Sequence, residues 1–242
     1  MPGRVALRNL RQKAVLLMAE RSVASACPLC RGRDVAAFVE VEKKQYLRCP
    51  ACQLTFVDPA ARLSLEVEHT HYLSHQNHID DPGYRRFLAR LADPLLECLP
   101  VQSSGLDYGC GPGPALGHML REAGHDVALY DPFFEAHKGV LAATYDFIAC
   151  TEVAEHFHDP AKEFELFDRL LRPGGWLGIM TCFLTDDDGF STWYYRKDPT
   201  HVVFYKRATL VTIANRFGWH FESPMQDIAL MRKPNETSKE AS

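Results

Sequence analysis

From residue 104 onward, short apolar runs alternate with longer segments whose apolar residues recur at helical spacing. The runs are SGLDYG, DVALYDP, YDFIACTEV and GWLGIMTCF, and the segments between them include PALGHMLREAG and PAKEFELFDRLLRPGG. This alternation is typical of a mainly parallel sheet with helices on both faces. Two later runs, HFESP and DIALMRK, predict a closing antiparallel hairpin. Ligands of such sheets bind beyond the carboxyl ends of the strands, so the loops there form the candidate site.

Upstream of these alternating runs the pattern changes. GYRRFLARLADPLLECLP carries leucines at helical spacing and predicts a covering helix with a break or kink at Pro94, whereas FVDPAARLSLEVEH shows no clear pattern. We therefore predict five regions, each with its own character. They are an N-terminal extension (1–22), a zinc ribbon (23–60), a linker with covering helices (61–103), the sheet-and-helix domain (104–233) and a disordered tail (234–242).

The ribbon prediction rests on four cysteines. CPLC and CPAC place Cys27, Cys30, Cys49 and Cys52 in a C-x2-C-x18-C-x2-C arrangement, which is typical of a structural zinc site. Two short strands within DVAAFVEVEKKQYLRC bring the pairs together. Since all four ligand positions are filled by protein, the predicted Zn²⁺ is structural and not catalytic. Disulfides or a redox pair are the alternatives.

Composition and charge narrow the class of protein. No apolar stretch of the 242 residues reaches the length of a membrane span, which predicts a cytoplasmic protein without membrane contact; an organellar presequence at the basic N-terminus is the alternative. Residues 1–62 hold 11 Lys and Arg against 5 Asp and Glu, and residues 63–242 hold 16 against 26. The basic first part is weak evidence for a polyanionic partner.

The loop after the first run, GLDYGCGPGPALG, is rich in glycine. Gly109, Gly111 and Gly113 form G-x-G-x-G, which differs from the dinucleotide spacing G-x-G-x-x-G, and no Gly-Lys-Ser/Thr follows to form a phosphate loop. Asp107 adds a carboxylate that would repel a pyrophosphate and accept a hydrogen bond from an ammonium group. The loop therefore predicts a ligand that carries an amine.

LDYGCGPG resembles the first motif of the class I S-adenosylmethionine-dependent methyltransferases. YDP, YDFIACTEVAEHF and LLRPGGWLGIMT follow in the order of that family's later motifs, and the resemblance covers residues 104–233. It implies a Rossmann-like α/β fold with a seven-stranded, mostly parallel sheet and a C-terminal antiparallel hairpin. It also implies S-adenosylmethionine as the cofactor. Only 13 residues separate Asp131 from Tyr145, which is short for the family's usual helix and third strand.

The resemblance implies roles for residues on the cofactor side. Gly109 and Gly111 would admit the amino-acid part, Asp107 would meet its ammonium, and Asp131 would accept the ribose hydroxyls, although a turn-forming role before Pro132 is open. Phe133 or Phe134 would cover adenine or pack as ordinary phenylalanines. Glu152 and Val153 would line the sulfonium side. The complete predicted set is Asp107, Gly109, Cys110, Gly111, Gly113, Asp131, Pro132, Phe133, Glu152 and Val153.

Candidate residues for the methyl acceptor lie in two places. Glu155 and His156 follow the third run, with His156 either catalytic or structural. FSTWYYRKDPTHVVFYKRATL, which precedes a predicted helix, offers aromatic pocket walls and two groups that position or deprotonate an acceptor, or else a packed aromatic cap. The catalytic candidates are His156, Tyr194, Asp198 and His201. The histidines of HTHYLSHQNH suggest a cavity wall, a polar surface or a second metal site.

Three functions are compatible with these observations. The leading one is methyl transfer to a small molecule, with the ribbon structural or covering the substrate. The alternative is a nucleic-acid methyltransferase that grips RNA through the basic ribbon, although the acidic remainder of the chain and the TEVAEH sequence disfavour it. The third is a non-catalytic protein that binds the cofactor.

Overall fold

A computed structural model describes residues 26–73 and 78–235. These residues form ten strands and five α-helices, joined by loops and short 3-10 turns. The strands are β1 (Ala36–Val41), β2 (Lys44–Arg48), β3 (Thr55–Val57), β4 (Ser104–Tyr108), β5 (Asp126–Tyr130), β6 (Tyr145–Thr151), β7 (Leu171–Met180), β8 (Val203–Phe204), β9 (His220–Met225) and β10 (Ile228–Arg232). The helices are α1 (Leu65–Tyr72), α2 (Pro82–Leu96), α3 (Ala115–Glu122), α4 (Pro160–Leu170) and α5 (Arg207–Phe217). The predicted extension and the tail from residue 236 onward lie outside the described residues.

The larger sheet has the order β5-β4-β6-β7-β10-β9. Its first four strands are parallel, and β10 pairs antiparallel with both β7 and β9. Helices α2 and α3 pack on one face through residues such as Leu91 and Leu120, and α4 and α5 cover the other through residues such as Phe164 and Ile213. The predicted α/β fold class and the closing hairpin are confirmed.

The predicted strand count needs correction, because the described part of this sheet has six strands and not seven. The segment between β5 and β6 contains a bridge between Asp131 and Glu135 and a 3-10 turn at Lys138–Ala142. A helix followed by a further strand needs more residues than this segment holds. The chain therefore crosses from β5 to β6 without adding an edge strand beyond β5.

Helix α2 runs through Pro94 and ends two residues later, so the predicted break is wrong. A proline close to the carboxyl end of a helix removes only one hydrogen bond of the last turns, which packing can compensate. Leu88, Leu91 and Leu95 of this helix are buried against the sheet. Among the described residues, no helix has the length and apolarity of a bilayer span.

A second, smaller sheet joins the cysteine-rich module to the rest of the protein. Its order is β1-β2-β3-β8, so the two predicted strands β1 and β2 are present and β8 adds a strand from beyond β7. The Val57 N–H donates to the Val202 carbonyl at 2.9 Å, and the Val202 N–H donates to the Glu155 carbonyl at 2.9 Å. Two successive backbone hydrogen bonds thus connect this module to the loop after β6.

Helix α1 lies in the segment that shows no pattern in the sequence. Ser64 caps it, with its hydroxyl accepting from the Val67 N–H, and the apolar residues Leu65 and Val67 are 65% and 51% exposed. The helix has no apolar stripe, and its contacts with the protein include polar and aromatic pairs such as Glu68 with His158 and His69 with Phe133. Its first turn carries Glu66 and Glu68, and together with the Ser64 cap these acids are a sequence signal for a helix start.

Candidate functional site

A cavity of about 870 Å³ opens beyond the carboxyl ends of β4, β5 and β6, with α1 and residues 194–201 forming its other walls. This is the position that a parallel sheet with this strand order favours for a ligand. Twelve of the predicted site residues line the cavity: Gly109, Cys110, Gly111, Asp131, Pro132, Phe133, Glu152, Val153, His156, Tyr194, Asp198 and His201. The two sides predicted from separate stretches of sequence therefore meet in one space.

The glycine loop leaves the backbone exposed to this cavity. Gly109 has φ +79°, and a Cβ there would lie 2.3 Å from the Val153 side chain, so only glycine fits between the loops after β4 and β6. Gly111 has φ +63° and no atom within 4 Å of the position of a Cβ. Its backbone therefore borders open space in which a ligand can approach closely.

Asp131 follows β5 directly and holds the loop in shape. One carboxylate oxygen, Oδ1, accepts from the N–H groups of Phe133 (2.8 Å) and Phe134 (3.1 Å), while Oδ2 accepts from Gly111 N–H at 3.0 Å. A carboxylate offers about four acceptor positions, so about one remains, on Oδ2. Asp131 both forms the turn before Pro132 and lines the cavity, so the two sequence interpretations are compatible.

Asp107 and Gly113 do not line the cavity. The Asp107 carboxylate is buried at the end of β4 and accepts from the Gly117 N–H at 2.9 Å; burial raises its pKa to about 7. Gly113 is buried at the start of α3, where its carbonyl accepts from Ala115 N–H. Both residues support the loop from beneath, and a direct contact of Asp107 with a ligand amine remains a prediction.

Glu152 has an unusual backbone and an unusual carboxyl group. Its φ is +52°, a left-handed conformation that few non-glycine residues adopt and that often marks functional sites. Burial, reinforced by the nearby carboxylates of Glu155 and Asp227, raises its pKa to about 9. A positively charged ligand beside Glu152 would favour its ionised form, because opposite charges stabilise one another.

Glu155, His156 and His201 converge at the other end of the cavity. Glu155 is fully buried; its Oε2 accepts from the Thr181 hydroxyl at 2.9 Å, and its Oε1 lies 3.9 Å from the Nε2 atom of each histidine. His156 Nδ1 lies 3.0 Å from the Thr200 carbonyl, and His201 Nδ1 lies 2.7 Å from the Tyr195 carbonyl. Burial lowers the pKa of His201, which favours the neutral imidazole.

Asp198 and Tyr194 line the cavity, but neither side chain is well suited to act as a base at neutral pH. Asp198 accepts from the N–H (2.9 Å) and the hydroxyl (2.5 Å) of Thr200. Although burial alone would raise its pKa, these bonds lower it to about 2. Tyr194 is 70% exposed, and its contact with Cys182 together with burial raises its pKa to about 12. Neither group is a strong base at neutral pH, so Asp198 is better suited to positioning a donor group.

The lining is acidic and aromatic. Six carboxyl groups face it, and the described residues of the lining include no lysine and no arginine. The acids are Glu68, Asp131, Glu152, Glu155, Glu163 and Asp198. Those of these groups that are ionised attract cations and repel phosphates and carboxylates, since their charges lie in a partly desolvated space.

Helix α1 contributes residues that the sequence did not indicate. Glu68 is buried and lies 2.7 Å from Nε2 of His158, and Tyr72 lies 3.2 Å from Nδ1 of His156. His69 stacks on Phe133 with ring centroids 5.0 Å apart and an interplanar angle of 8°. Part of the histidine-rich segment thus supports a cavity wall, as one interpretation predicted; His75 lies outside the described residues.

The four cysteines of the ribbon lie close enough to share one ion. Their sulfur atoms are within 4.8 Å of one another, with Cys27 and Cys52 separated by 3.5 Å and Cys30 and Cys49 by 3.4 Å. Sulfur atoms around a tetrahedral Zn²⁺ are separated by about 3.8 Å, given a Zn–S bond of about 2.3 Å. Each C-x2-C turn ends in a left-handed residue, Arg31 or Gln53. The donor set and its geometry fit zinc.

Comparisons with known proteins identify the family of the part of the chain that contains the larger sheet and its helices. A family model described as a methyltransferase domain matches residues 77–223. Curated relatives named ubiquinone biosynthesis O-methyltransferase include one from Serratia proteamaculans, 34% identical over 75 residues, which cover 31% of each chain. Another, from Aeromonas salmonicida, is 35% identical over 79 residues, covering 32% of this chain and 33% of that protein. The chain matches about a third of the length of these relatives.

A solved structure shares the fold. It is the 1,6-didemethyltoxoflavin-N1-methyltransferase of Burkholderia thailandensis with bound 1,6-didemethyltoxoflavin and S-adenosylhomocysteine. The comparison has a TM-score of 0.51 and 16% identity, and it covers 78% of this chain and 99% of that one. At this identity the similarity concerns the fold alone.

Proposed function

Because the chain belongs to the methyltransferase domain family, we propose that it is an S-adenosylmethionine-dependent methyltransferase whose acceptor is the hydroxyl group of a small, uncharged or cationic molecule. The observation that carries this proposal is the lining of the cavity, which has six carboxyl groups and, among the described residues, no lysine or arginine. The hydroxyl acceptor is supported by the curated relatives, whose names describe O-methyltransferases.

The donor would occupy the side of the cavity formed by the loops after β4 and β5. Gly109 and Gly111 would admit its amino-acid part, and the remaining acceptor position on Asp131 Oδ2 would take a ribose hydroxyl. Burial and the nearby carboxylates raise the pKa of Glu152, and a sulfonium beside it would favour its ionised form. When bound, S-adenosylmethionine provides an electrophilic methyl group on that sulfonium.

The acceptor would lie between the donor and the residues Glu155, His156 and His201. Methyl transfer requires a nucleophile held in line behind the methyl group and water kept out of the site. Tyr72 of α1 and Tyr195 supply apolar ring surface around this position, while Asp198 can orient a hydroxyl or ammonium by accepting a hydrogen bond. These residues position the reactants, which is most of what this reaction needs from a protein.

A nucleic-acid acceptor is disfavoured by the same charges. A phosphate backbone entering this cavity would meet carboxylates without a compensating cation among the described lining residues. The basic N-terminal part would have to provide the whole attraction. The small-molecule assignment therefore fits the electrostatics better.

We also propose that the ribbon holds one structural Zn²⁺. A module of this size buries too little apolar surface to fold by itself, and zinc supplies the missing free energy. Its four cysteines leave no open coordination position. The ribbon then acts through its pairing with β8, which fixes the backbone beside His201 and Glu155.

A pooled-acceptor assay tests the proposed substrate class. Cell extract is divided into RNA, anionic small molecules and the remaining neutral and cationic small molecules, and the purified chain is given S-adenosylmethionine with each pool. We expect S-adenosylhomocysteine release with the neutral and cationic pool to exceed that with RNA at least about tenfold, a difference of about 1.4 kcal/mol in barrier. Release that depends on RNA would overturn the assignment.

A further inference from the structure

Three atoms that carry lone pairs converge at the acceptor end of the cavity. They belong to Glu155, His156 and His201, whose candidate ligand atoms all lie within 4.8 Å of one another, and Glu155 Oε1 faces the Nε2 atom of each histidine. The carboxylate oxygen is 3.9 Å from each nitrogen, which is too long for a direct hydrogen bond. All three residues line the cavity, and the Glu155 side chain lies beneath its surface, fully buried.

Hydrogen bonds fix both histidines in the same tautomer. A backbone carbonyl accepts and cannot donate, so the shorter contact, from His156 Nδ1 to the Thr200 carbonyl, favours a proton on that nitrogen, and the Tyr72 hydroxyl 3.2 Å away then accepts; the Tyr195 carbonyl requires a proton on Nδ1 of His201. In the neutral ring the Nε2 atom then bears a lone pair. A carbonyl that accepts from the far ring nitrogen is the usual support of a metal-binding histidine.

The carboxylate oxygen that faces the histidines lacks a partner. Glu155 is fully buried, and among the described residues no donor reaches its Oε1, while Oε2 is satisfied by the Thr181 hydroxyl. A buried polar atom without a partner is costly and calls for an unseen ion or other ligand. Here the oxygen points to the same place as two nitrogen lone pairs.

We propose that Glu155, His156 and His201 bind a divalent transition-metal ion, with its open coordination positions facing the cavity. Two imidazoles and one carboxylate suit zinc, iron or manganese better than calcium, and three ligands on one side leave positions for a further molecule. Metal-to-ligand distances of about 2.0 to 2.2 Å require the three atoms to move inward by only a few tenths of an ångström. This site is separate from the four cysteines of the ribbon.

The ion would bind and acidify the acceptor, an inference that rests on the proposed function. An acceptor hydroxyl on the metal loses its proton to water more readily, because the cation stabilises the alkoxide or phenoxide. The oxygen then forms a bond to the methyl carbon while the carbon–sulfur bond breaks, and its electron pair stays on sulfur. The products are the methyl ether, S-adenosylhomocysteine and the released proton.

Manganese titration tests the site without any methyl transfer. The full chain, carrying one equivalent of Zn²⁺ for its four cysteines, is titrated with Mn²⁺ while the electron paramagnetic resonance signal of free Mn²⁺ is recorded. We expect one Mn²⁺ per chain, with affinity at least about tenfold lower in Glu155→Gln and His201→Asn. In Glu155→Gln the amide oxygen still accepts from Thr181, and in His201→Asn the amide N–H still donates to the Tyr195 carbonyl, so both variants should fold.

His220→Gln is the matched control, because this exposed histidine also lies beside a carboxylate, Glu222, but far from the cavity. It should bind Mn²⁺ like the wild type, and circular dichroism checks that all variants are folded. If the wild type leaves the Mn²⁺ signal unchanged, or if both cavity variants bind like the wild type, the metal site is refuted. Neither result depends on which acceptor the enzyme uses.

Discussion

We expect Asp131→Ala to weaken the binding of S-adenosylhomocysteine by about 30- to 300-fold, roughly 2 to 3.5 kcal/mol, as measured by titration calorimetry. The alanine leaves the N–H groups of Gly111, Phe133 and Phe134 without their acceptor and removes the remaining acceptor position for a ribose hydroxyl. Hydrogen bonds to a carboxylate contribute about 1.5 to 3 kcal/mol each, so the loss of a loop organised by three of them has a large effect.

Two further variants sharpen this expectation. Asp131→Asn keeps an oxygen for Phe133 and Phe134 but presents an amide donor to the Gly111 N–H, and its affinity should lie between those of the wild type and the alanine variant. Glu135→Gln changes an exposed acid of the same loop and should leave affinity within about twofold. Equal affinity of Asp131→Ala and wild type would refute the donor site.

We expect Cys49→Ser to abolish the proposed zinc binding and to unfold the ribbon, because structural zinc contributes an apparent binding free energy of about 10 to 16 kcal/mol. The loss would extend to the active site through the bonds from Val57 to Val202 and from Val202 to Glu155. We expect methyl transfer to fall by about 100-fold or more, or about 2.7 kcal/mol, while donor affinity changes less, since Gly109 and Asp131 lie on other loops.

Zinc content, the rate of methyl transfer and donor affinity are measured on the same preparation. Together they separate loss of metal, loss of activity and loss of donor binding. Cys98→Ser is the matched control: this half-buried cysteine follows α2 and lies outside the cavity lining, so zinc content and methyl transfer should be retained. A folded Cys49→Ser ribbon without metal would contradict the structural role of zinc. Unchanged methyl transfer after ribbon unfolding would contradict the coupling through β8.

The sequence predicts the main sheet and most of the loop residues that line the cavity at its carboxyl end, because both rest on local patterns. Alternating apolar runs mark the strands, and the glycine spacing with Asp131 marks the loops at their carboxyl ends. Strand β8 could not be predicted from such a pattern, since its two residues form a strand only by pairing with β3 of the ribbon. The described part of the main sheet has no seventh strand because the segment between Asp131 and Tyr145 is short. The sequence already showed this short segment, but the family resemblance suggested seven strands.

The acceptor side is harder to predict because its features depend on long-range contacts. Helix α1 lacks an apolar face and is held by pairs such as Glu68 with His158, which are 90 positions apart in the chain. Glu155 Oε1 has no hydrogen-bond partner among the described residues, and only the folded chain brings His201 close to it. A pattern of apolar residues in one stretch of sequence carries no information about such pairs.

We propose that this protein transfers a methyl group to a hydroxyl group of a small molecule. It is tested most directly by incubating the purified chain with S-adenosylmethionine labelled with ¹³C in the methyl group and the neutral and cationic small-molecule pool. The ¹³C resonance of the product identifies the atom that carries the new methyl group. We expect a methoxy carbon that is absent with Asp131→Ala; an N-methyl carbon, or a label found only in RNA, would refute transfer to a hydroxyl group.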